Sequence, residues 1–309
     1  VRRVAAVDCG TNSIRLLVAD ADPASGRQHD LDRRLRIVRL GQDVDRTGRL
    51  DPQALERTMS ALAEYAEVMR ALEVERVRMI ATSATRDASN SAEFVDGVRE
   101  LLGVEPDVVS GDDEARLSFA GATREIHGDR RAPYLVVDVG GGSTEFVSGI
   151  SEPESARSVD IGSVRLTERC FGSDPPTSAE VSAARKVIEA ALDDAARTVP
   201  LIDAGTVIGL AGTITTVAAI HLGLAEYDSS AVHLSRIPAG AVAEISDRLL
   251  AASHEQRAAI RVIHPGRVDV IAAGALILRC VVERTGASGV LVSERDILDG
   301  IAWSLVADV

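Results

Sequence analysis

Two short stretches hold residues whose types and spacing could do chemistry. Asp138-Val139-Gly140-Gly141-Gly142-Ser143-Thr144-Glu145 follows the β-forming run Tyr134-Leu135-Val136-Val137 and precedes a second apolar run. That is a strand, a glycine-rich turn and a strand. One or two glycines with positive φ would make a hairpin turn. Three strip the tip of side chains, so backbone N–H groups can close on an anion, most often a phosphate. The flanking acids Asp138 and Glu145 would hold the metal that such a phosphate carries. VAAVDCGTNSIRLLVAD, residues 4–20, repeats the arrangement, with Asp8 on Asp138, Gly10 on Gly140 and Ser13 on Ser143. A repeat so distant is no short-period solenoid. It points to two like domains facing each other, each offering a phosphate hairpin to a shared cleft. Turn chemistry alone accounts poorly for the shared register.

Each candidate also has a plainer reading. Asp8 or Asp138 alone would be a turn-capping Asp; found twice in register, the pair favours a metal-bound phosphate. Glu145 lies two residues after Ser143 and so points to the same side of an otherwise apolar strand. A carboxylate buried there unpaired is costly, so it meets either an arginine or Mg²⁺. Glu114 ends the triplet Asp112-Asp113-Glu114 at a helix start. Two readings stay open: acids stabilised by the helix dipole, or a crowded carboxylate readied as general base for water. Arg34, Arg36 and Arg46 fit a solvated edge strand better than a cationic rail for a polyphosphorylated ligand. His29-Asp30 is a surface pair, His264 before Pro265 is structural, and no Ser/His/Asp spacing recommends a triad.

The elements that must position these residues alternate between strand and helix, which makes the chain α/β. Asp51-Pro52 opens a long helix, with Leu55, Met59, Leu62, Ala66 and Met69 at helical spacing. A strand at 77–81 runs into the polar loop TSATRDASN, residues 82–90, where Arg86 is the one cation and Asn90 caps the next helix. A short strand at 107–109 turns into the helix bearing Glu114. GDRRAP at 128–133 marks the boundary between domains 1–128 and 129–295. In the second, Thr177 and Glu180 form a capping box, and a strand at 207–210 ends in the small-residue turn Ala211-Gly212-Thr213. The apolar helix after His264-Pro265-Gly266 should be central to that domain. A last strand at 289–292 leads to a terminal helix, 296–309, that packs back on the first domain.

Composition excludes several classes. A length of 309 residues, 46% hydrophobic and 26% charged, suits about two ordinary globular domains. A net charge of −13 repels nucleic acid and acidic lipid; a polyanionic substrate then needs divalent cations and local arginines. Lys186 is the only lysine, so no Walker A loop exists. Cys9, Cys170 and Cys280 are too scattered for zinc and fit a reducing cytoplasm. The longest apolar run, residues 270–278, is too short to span a bilayer, and Asp8 and Arg15 interrupt the first one, so no signal peptide is expected.

Taken in order, Asp8-Cys9-Gly10-Thr11-Asn12-Ser13, the loop 82–90, Ser110-Gly111 through Glu114-Ala115-Arg116-Leu117, and Asp138 through Glu145 resemble the exopolyphosphatase/guanosine pentaphosphate phosphohydrolase (Ppx/GppA) family. Gly209-Leu210-Ala211-Gly212-Thr213 and His264-Pro265-Gly266-Arg267 extend the resemblance over nearly the whole chain, which is most similar to the short, two-domain actinobacterial exopolyphosphatases. The resemblance implies a two-domain ribonuclease H-like, actin-like ATPase (ASKHA) fold with an interdomain active-site cleft. It implies removal of the terminal phosphate of inorganic polyphosphate, with Mg²⁺ or Mn²⁺ as cofactor and a homodimer as assembly. Carried onto this chain, the catalytic glutamate is Glu114 and the metal carboxylates are Asp138 and Glu145. The phosphate-binding positions are Asp8, Gly10, Thr11, Asn12, Ser13, Arg86, Gly140, Gly141, Gly142, Ser143, Thr144, Gly212 and Thr213. Departures are Thr11 where Ser is commoner, Asp113 for a frequent Glu, and Asp43 where glycine is usual. Longer members carry a further helical domain with a His-Asp motif, so a preference for shorter polyphosphate is expected here. Three alternatives remain: the 5′ γ-phosphate of guanosine pentaphosphate as substrate, a small-molecule kinase of the same superfamily, or a non-catalytic phosphate sensor.

Overall fold

Unbroken apolar runs leading into Asp8 and Asp138 become the central strands of two sheets. The computed structural model describes residues 1–126 and 130–307, without the side chain of 307. The chain first forms β1 (Arg2–Cys9), β2 (Ser13–Asp22), β3 (Arg27–Ile37), α1 (Val44–Thr47), α2 (Pro52–Ala71), β4 (Arg76–Ala81), α3 (Ser83–Asp87), α4 (Ser91–Leu102), β5 (Asp107–Val108) and α5 (Gly111–Thr123). Next come β6 (Tyr134–Val139), β7 (Thr144–Gly149), β8 (Pro153–Val159), α6 (Ser163–Cys170), α7 (Ser178–Ala195), β9 (Thr206–Leu210), α8 (Ala211–His221) and α9 (Ser229–Val232). The last elements are β10 (Arg236–Pro238), α10 (Ala239–Ala251), α11 (His254–Ala258), α12 (Ile271–Thr285), β11 (Gly289–Val292) and α13 (Ile297–Ala307). Residues 1–121 with those from 297 on make one compact unit, and residues 122–296 a second. The boundary expected at 128/129 lies outside the described residues.

In the first unit the strand order is β3-β2-β1-β4-β5, with β1, β2 and β3 antiparallel and β4 and β5 parallel to β1. Alternation along β1 splits its side chains between two cores. Ala5, Val7 and Cys9 meet Leu62, Tyr65 and Phe94 of α2 and α4, while Val4 and Ala6 meet Leu298, Ile301 and Ala302 of α13. Cover on both faces is why β1 reads as a continuous apolar run rather than an alternating one. Helix α2 begins where Asp51 accepts from the N–H groups of Gln53 and Ala54, with Pro52 in the first turn.

The second unit has the order β10-β11-β9-β6-β7-β8, with β6, β7 and β8 antiparallel and β9 and β11 parallel to β6. Counted from its own first strand, the first sheet runs 3-2-1-4-5, the ribonuclease H-like order, and the second runs the same way once its extra edge strand β10 is set aside. Helix α12 is buried along most of its length, from Ile271 to Val282, and anchors the core of this unit. The capping box of α7 is complete. N–H donation from Thr177 and Gly172 holds the Glu180 carboxyl down to about 2.

Two local expectations fail. The polar loop after β4 contains the short helix α3. Asn90 does stand before α4, but its side chain makes no cap. It pairs with Leu50, accepting from that residue's N–H at 2.8 Å and donating to its carbonyl at 3.2 Å. A tie between distant segments thus outcompetes a local cap worth about 1 kcal/mol. Strand β3 is the edge strand its charges suggested, with Arg34 paired to Asp32 and Arg36 to Glu64; Arg46 lies instead in α1, paired with Asp43. Among the described residues no helix is long and apolar enough to cross a membrane.

Candidate active site

The first hairpin is built by register. β1 and β2 set Asp8 opposite Arg15 and Cys9 opposite Ile14. The Gly10 N–H donates to the Ser13 carbonyl at 3.0 Å, leaving Thr11 and Asn12 as a two-residue tip. A strap, residues 38–41, lies behind it. The N–H groups of Val38 and Arg39 donate to the Asn12 carbonyl at 3.0 and 2.9 Å, and that of Gly41 to the Thr11 carbonyl at 2.8 Å. A trans peptide points its C=O and N–H in opposite directions. The Asn12 and Ser13 N–H groups therefore face away from the strap, together, as in an anion nest. A Cβ on Gly41 would meet the Thr11 side chain, so the glycine lets the strap approach closely. Arg39 takes a positive φ of 53°, a strain typical of functional loops.

The second hairpin repeats the geometry in other residues. Asp138 lies opposite Glu145 and Val139 opposite Thr144. The Gly140 N–H donates to the Ser143 carbonyl at 3.0 Å, and Gly141 and Gly142 form the tip. Here the prop is the start of α6. Ser163 N–H donates to the Gly140 carbonyl at 2.9 Å, and the N–H groups of Val164 and Arg165 donate to that of Gly141 at 2.9 and 3.1 Å. By the same planarity, the Gly141 and Gly142 N–H groups face away from α6. A Cβ on Gly162 would strike the Gly141 carbonyl. Thr144 is committed elsewhere: its hydroxyl donates to the Ile161 carbonyl at 2.6 Å and fixes the descending strand.

Beside this hairpin, β9 pairs with β6 so that Leu210 meets Asp138, which carries Ala211, Gly212 and Thr213 to the same end of the sheet. Ala211 has a φ of 65°. The Arg267 guanidinium lies against Gly212, where a Cβ would collide with it. A Cβ on Gly274 of α12 would come within 2.6 Å of the Thr213 hydroxyl and 3.2 Å of Ser163 Cβ. That glycine lets one helix draw the starts of α6 and α8 together.

Glu114 and Arg86 belong to the first unit. The Thr82 N–H donates to the Cys9 carbonyl at 3.2 Å, and the Thr11 and Ser83 hydroxyls share a buried hydrogen bond of 2.8 Å. Arg86 follows on α3, donating to the Val109 carbonyl at 2.9 Å with Nη1 3.9 Å from Glu114 Oε2. Glu114 sits in the first turn of α5, its N–H on the Ser110 carbonyl at 3.0 Å. A continuous line of contacts therefore runs from the first hairpin tip to Glu114.

The electrostatics of the two hairpins differ. Asp8 is buried, and Arg15 Nε and Nη2 both donate to its Oδ2, at 3.0 and 2.6 Å. Asp138 and Glu145 are also buried, at 8% and 1% exposure, but face each other as two carboxylates. Among the described residues no group of three or more His, Cys, Asp or Glu side chains is spaced to hold a metal. Mg²⁺ keeps several waters and takes one or two protein carboxylates besides substrate phosphates. Two carboxylates thus fit a magnesium ion whose remaining ligands are waters and substrate phosphates.

Sequence reasoning passed over Arg15, Gly162 and Ser158, and placed Arg267 in a motif without a role. Arg15 was within reach: the spacing of 130 residues between Asp8 and Asp138 also separates Arg15 from Glu145. Gly162 and Ser158 carry no local signal, because their meaning lies in which strand or turn they pack against.

A ribonuclease H-like fold written twice, with a two-residue hairpin turn entered through a glycine in each half, places the protein in the actin-like ATPase superfamily. The model of the Ppx/GppA phosphatase family matches residues 17–308, and the chain belongs to that family. It is 51% identical, over 98% of both chains, to exopolyphosphatase 2 of Mycobacterium tuberculosis. A crystal structure of an exopolyphosphatase-like protein superposes with a TM-score of 0.95 at 41% identity, covering 98% of each chain. The Ppx/GppA family member of Aquifex aeolicus gives 0.82 at 31% identity, covering 100% of this chain and 99% of its own.

Proposed function

We propose that this protein is an exopolyphosphatase that hydrolyses the terminal phosphoanhydride of inorganic polyphosphate and releases orthophosphate. One observation carries this: two hairpins in one register, each turning a pair of N–H groups to one side, one neutralised by Arg15 and the other bearing two buried carboxylates. The name borne by the 51% identical relative supports the same substrate class. Phosphoryl transfer asks little covalent help of a protein, so positioning and charge neutralisation supply most of the rate.

The N–H groups of Asn12, Ser13, Gly141 and Gly142, with the hydroxyls of Ser13 and Ser143, bind phosphate oxygens. Asp138 and Glu145 would hold Mg²⁺ or Mn²⁺, which when bound offsets the negative charge of the phosphates. Glu114 accepts the proton of the attacking water as general base. Arg86, tied to the Val109 carbonyl, stays beside that carboxylate.

The test is orthophosphate release from polyphosphate, guanosine pentaphosphate and ATP in parallel, with and without Mg²⁺. Mg²⁺-dependent release from polyphosphate is expected. Release from the pentaphosphate with none from polyphosphate would make the protein a guanosine pentaphosphate phosphohydrolase. Transfer from ATP to an added acceptor would make it a kinase, and Mg²⁺-dependent binding without release a sensor.

A further inference from the structure

Given the assignment of Glu145 to a metal, we infer that Ser158 is a positioning residue for this carboxylate. Glu145 is 1% exposed on β7, and Ser158 stands directly across from it on β8. The Ser158 hydroxyl donates to Glu145 Oε1 at 2.7 Å. Cross-strand partners share a face of the sheet. Asp138 on β6, Glu145 on β7 and Ser158 on β8 therefore form one row over three adjacent strands. The hydroxyl reaches the carboxylate from the edge side, opposite to Asp138, and holds it in one rotamer. Its bond to an ionised oxygen is of the stronger, charge-assisted kind.

The first hairpin provides an internal control. There Arg15 takes the place of Glu145, and its partner on the third strand is Leu35, which has no hydroxyl. The hydrogen-bonding residue thus occurs only where the row holds two carboxylates. Serine is also a poor strand former compared with β-branched residues, so the strand itself gives no reason for it at this position. Groups that bind a metal depend on such outer partners, whose loss typically costs about 10- to 100-fold in affinity.

Mn²⁺ serves as the probe, with the free ion followed by electron paramagnetic resonance as it is titrated into the full-length protein. A Mg²⁺ titration of orthophosphate release runs alongside. Ser158→Ala should weaken Mn²⁺ binding about 10-fold or more and raise the half-saturating Mg²⁺ concentration in step. Ser158→Thr keeps the hydroxyl and should restore binding to within about threefold of wild type. Unchanged binding in Ser158→Ala, alongside loss in Glu145→Gln, would overturn the role of Ser158. So would equal weakening in the Ala and Thr variants, because the hydroxyl would then not be the cause. Wild-type binding in Glu145→Gln would instead overturn the metal assignment on which this rests.

Discussion

The two hairpins share strand register and turn length, and each turns a pair of N–H groups away from its prop, yet one is neutral and the other keeps two negative charges. In the first, Asp8 meets Arg15 and its charge is neutralised inside the fold. In the second, Asp138 meets Glu145, and two buried carboxylates stand together, with Ser158 donating to one of them. A single difference at one cross-strand position, Arg15 against Glu145, thus separates a neutralised hairpin from one that keeps two carboxylates. Their props differ too. A strap of loop pinned by Gly41 backs the first tip, while the N-terminus of α6 backs the second through Gly162.

The largest effect is expected where the first unit supplies what the second lacks. Glu114→Gln should lower kcat by about 10²- to 10⁴-fold while Mn²⁺ affinity stays at the wild-type value. Turnover retained in that variant would remove Glu114 as base. Next comes an attempt to erase the charge difference. Glu145→Arg rebuilds in the second hairpin the pairing of the first, and should lose Mn²⁺ binding together with about 10²- to 10³-fold in kcat/KM. Asp8→Asn should leave Mn²⁺ binding intact; a loss equal to that of Asp138→Asn would mean that the two hairpins are not distinct in this respect.

The props can be compared by stability. At Gly162 a methyl group meets backbone, the Gly141 carbonyl, which cannot step aside; at Gly41 it meets the Thr11 side chain, which can shift at the expense of its hydrogen bond to Ser83. Overpacking commonly costs 1–3 kcal/mol. Gly162→Ala should reach about 3 kcal/mol in denaturant unfolding and Gly41→Ala about 1 kcal/mol. A reversed order would show that the strap is the stiffer support. The smallest effect is expected from Thr11→Val, which breaks the buried hydrogen bond to Ser83 and should cost about 1 kcal/mol.

Much of this could be read from residue order. The strand–glycine–strand pattern at 134–149 and its copy at 4–20 fold as two hairpins, because alternation and turn chemistry act over a few residues. The caps at Asp51 and Thr177 form for the same reason. Asn90 shows where such reasoning stops: its sequence context is that of an N-cap, and a contact with Leu50, forty positions away, claims the side chain instead. Thr144 has the composition of a phosphate ligand, but its hydroxyl is bound to Ile161. Arg267 stands far along the chain from Gly212, and only helix packing lays one on the other.

Sequence alone specified the doubled hairpin, the acids at its strand ends and the α/β alternation around it, since each follows from contacts between near neighbours in the chain. Chain pairing in three dimensions settled which acid meets a guanidinium and which stands across from another carboxylate, and which hydroxyls, such as those of Thr144 and Ser158, are bonded within the fold. Those outcomes depend on register across strands and on glycines that admit a second backbone, and no local pattern encodes the partner on the far side.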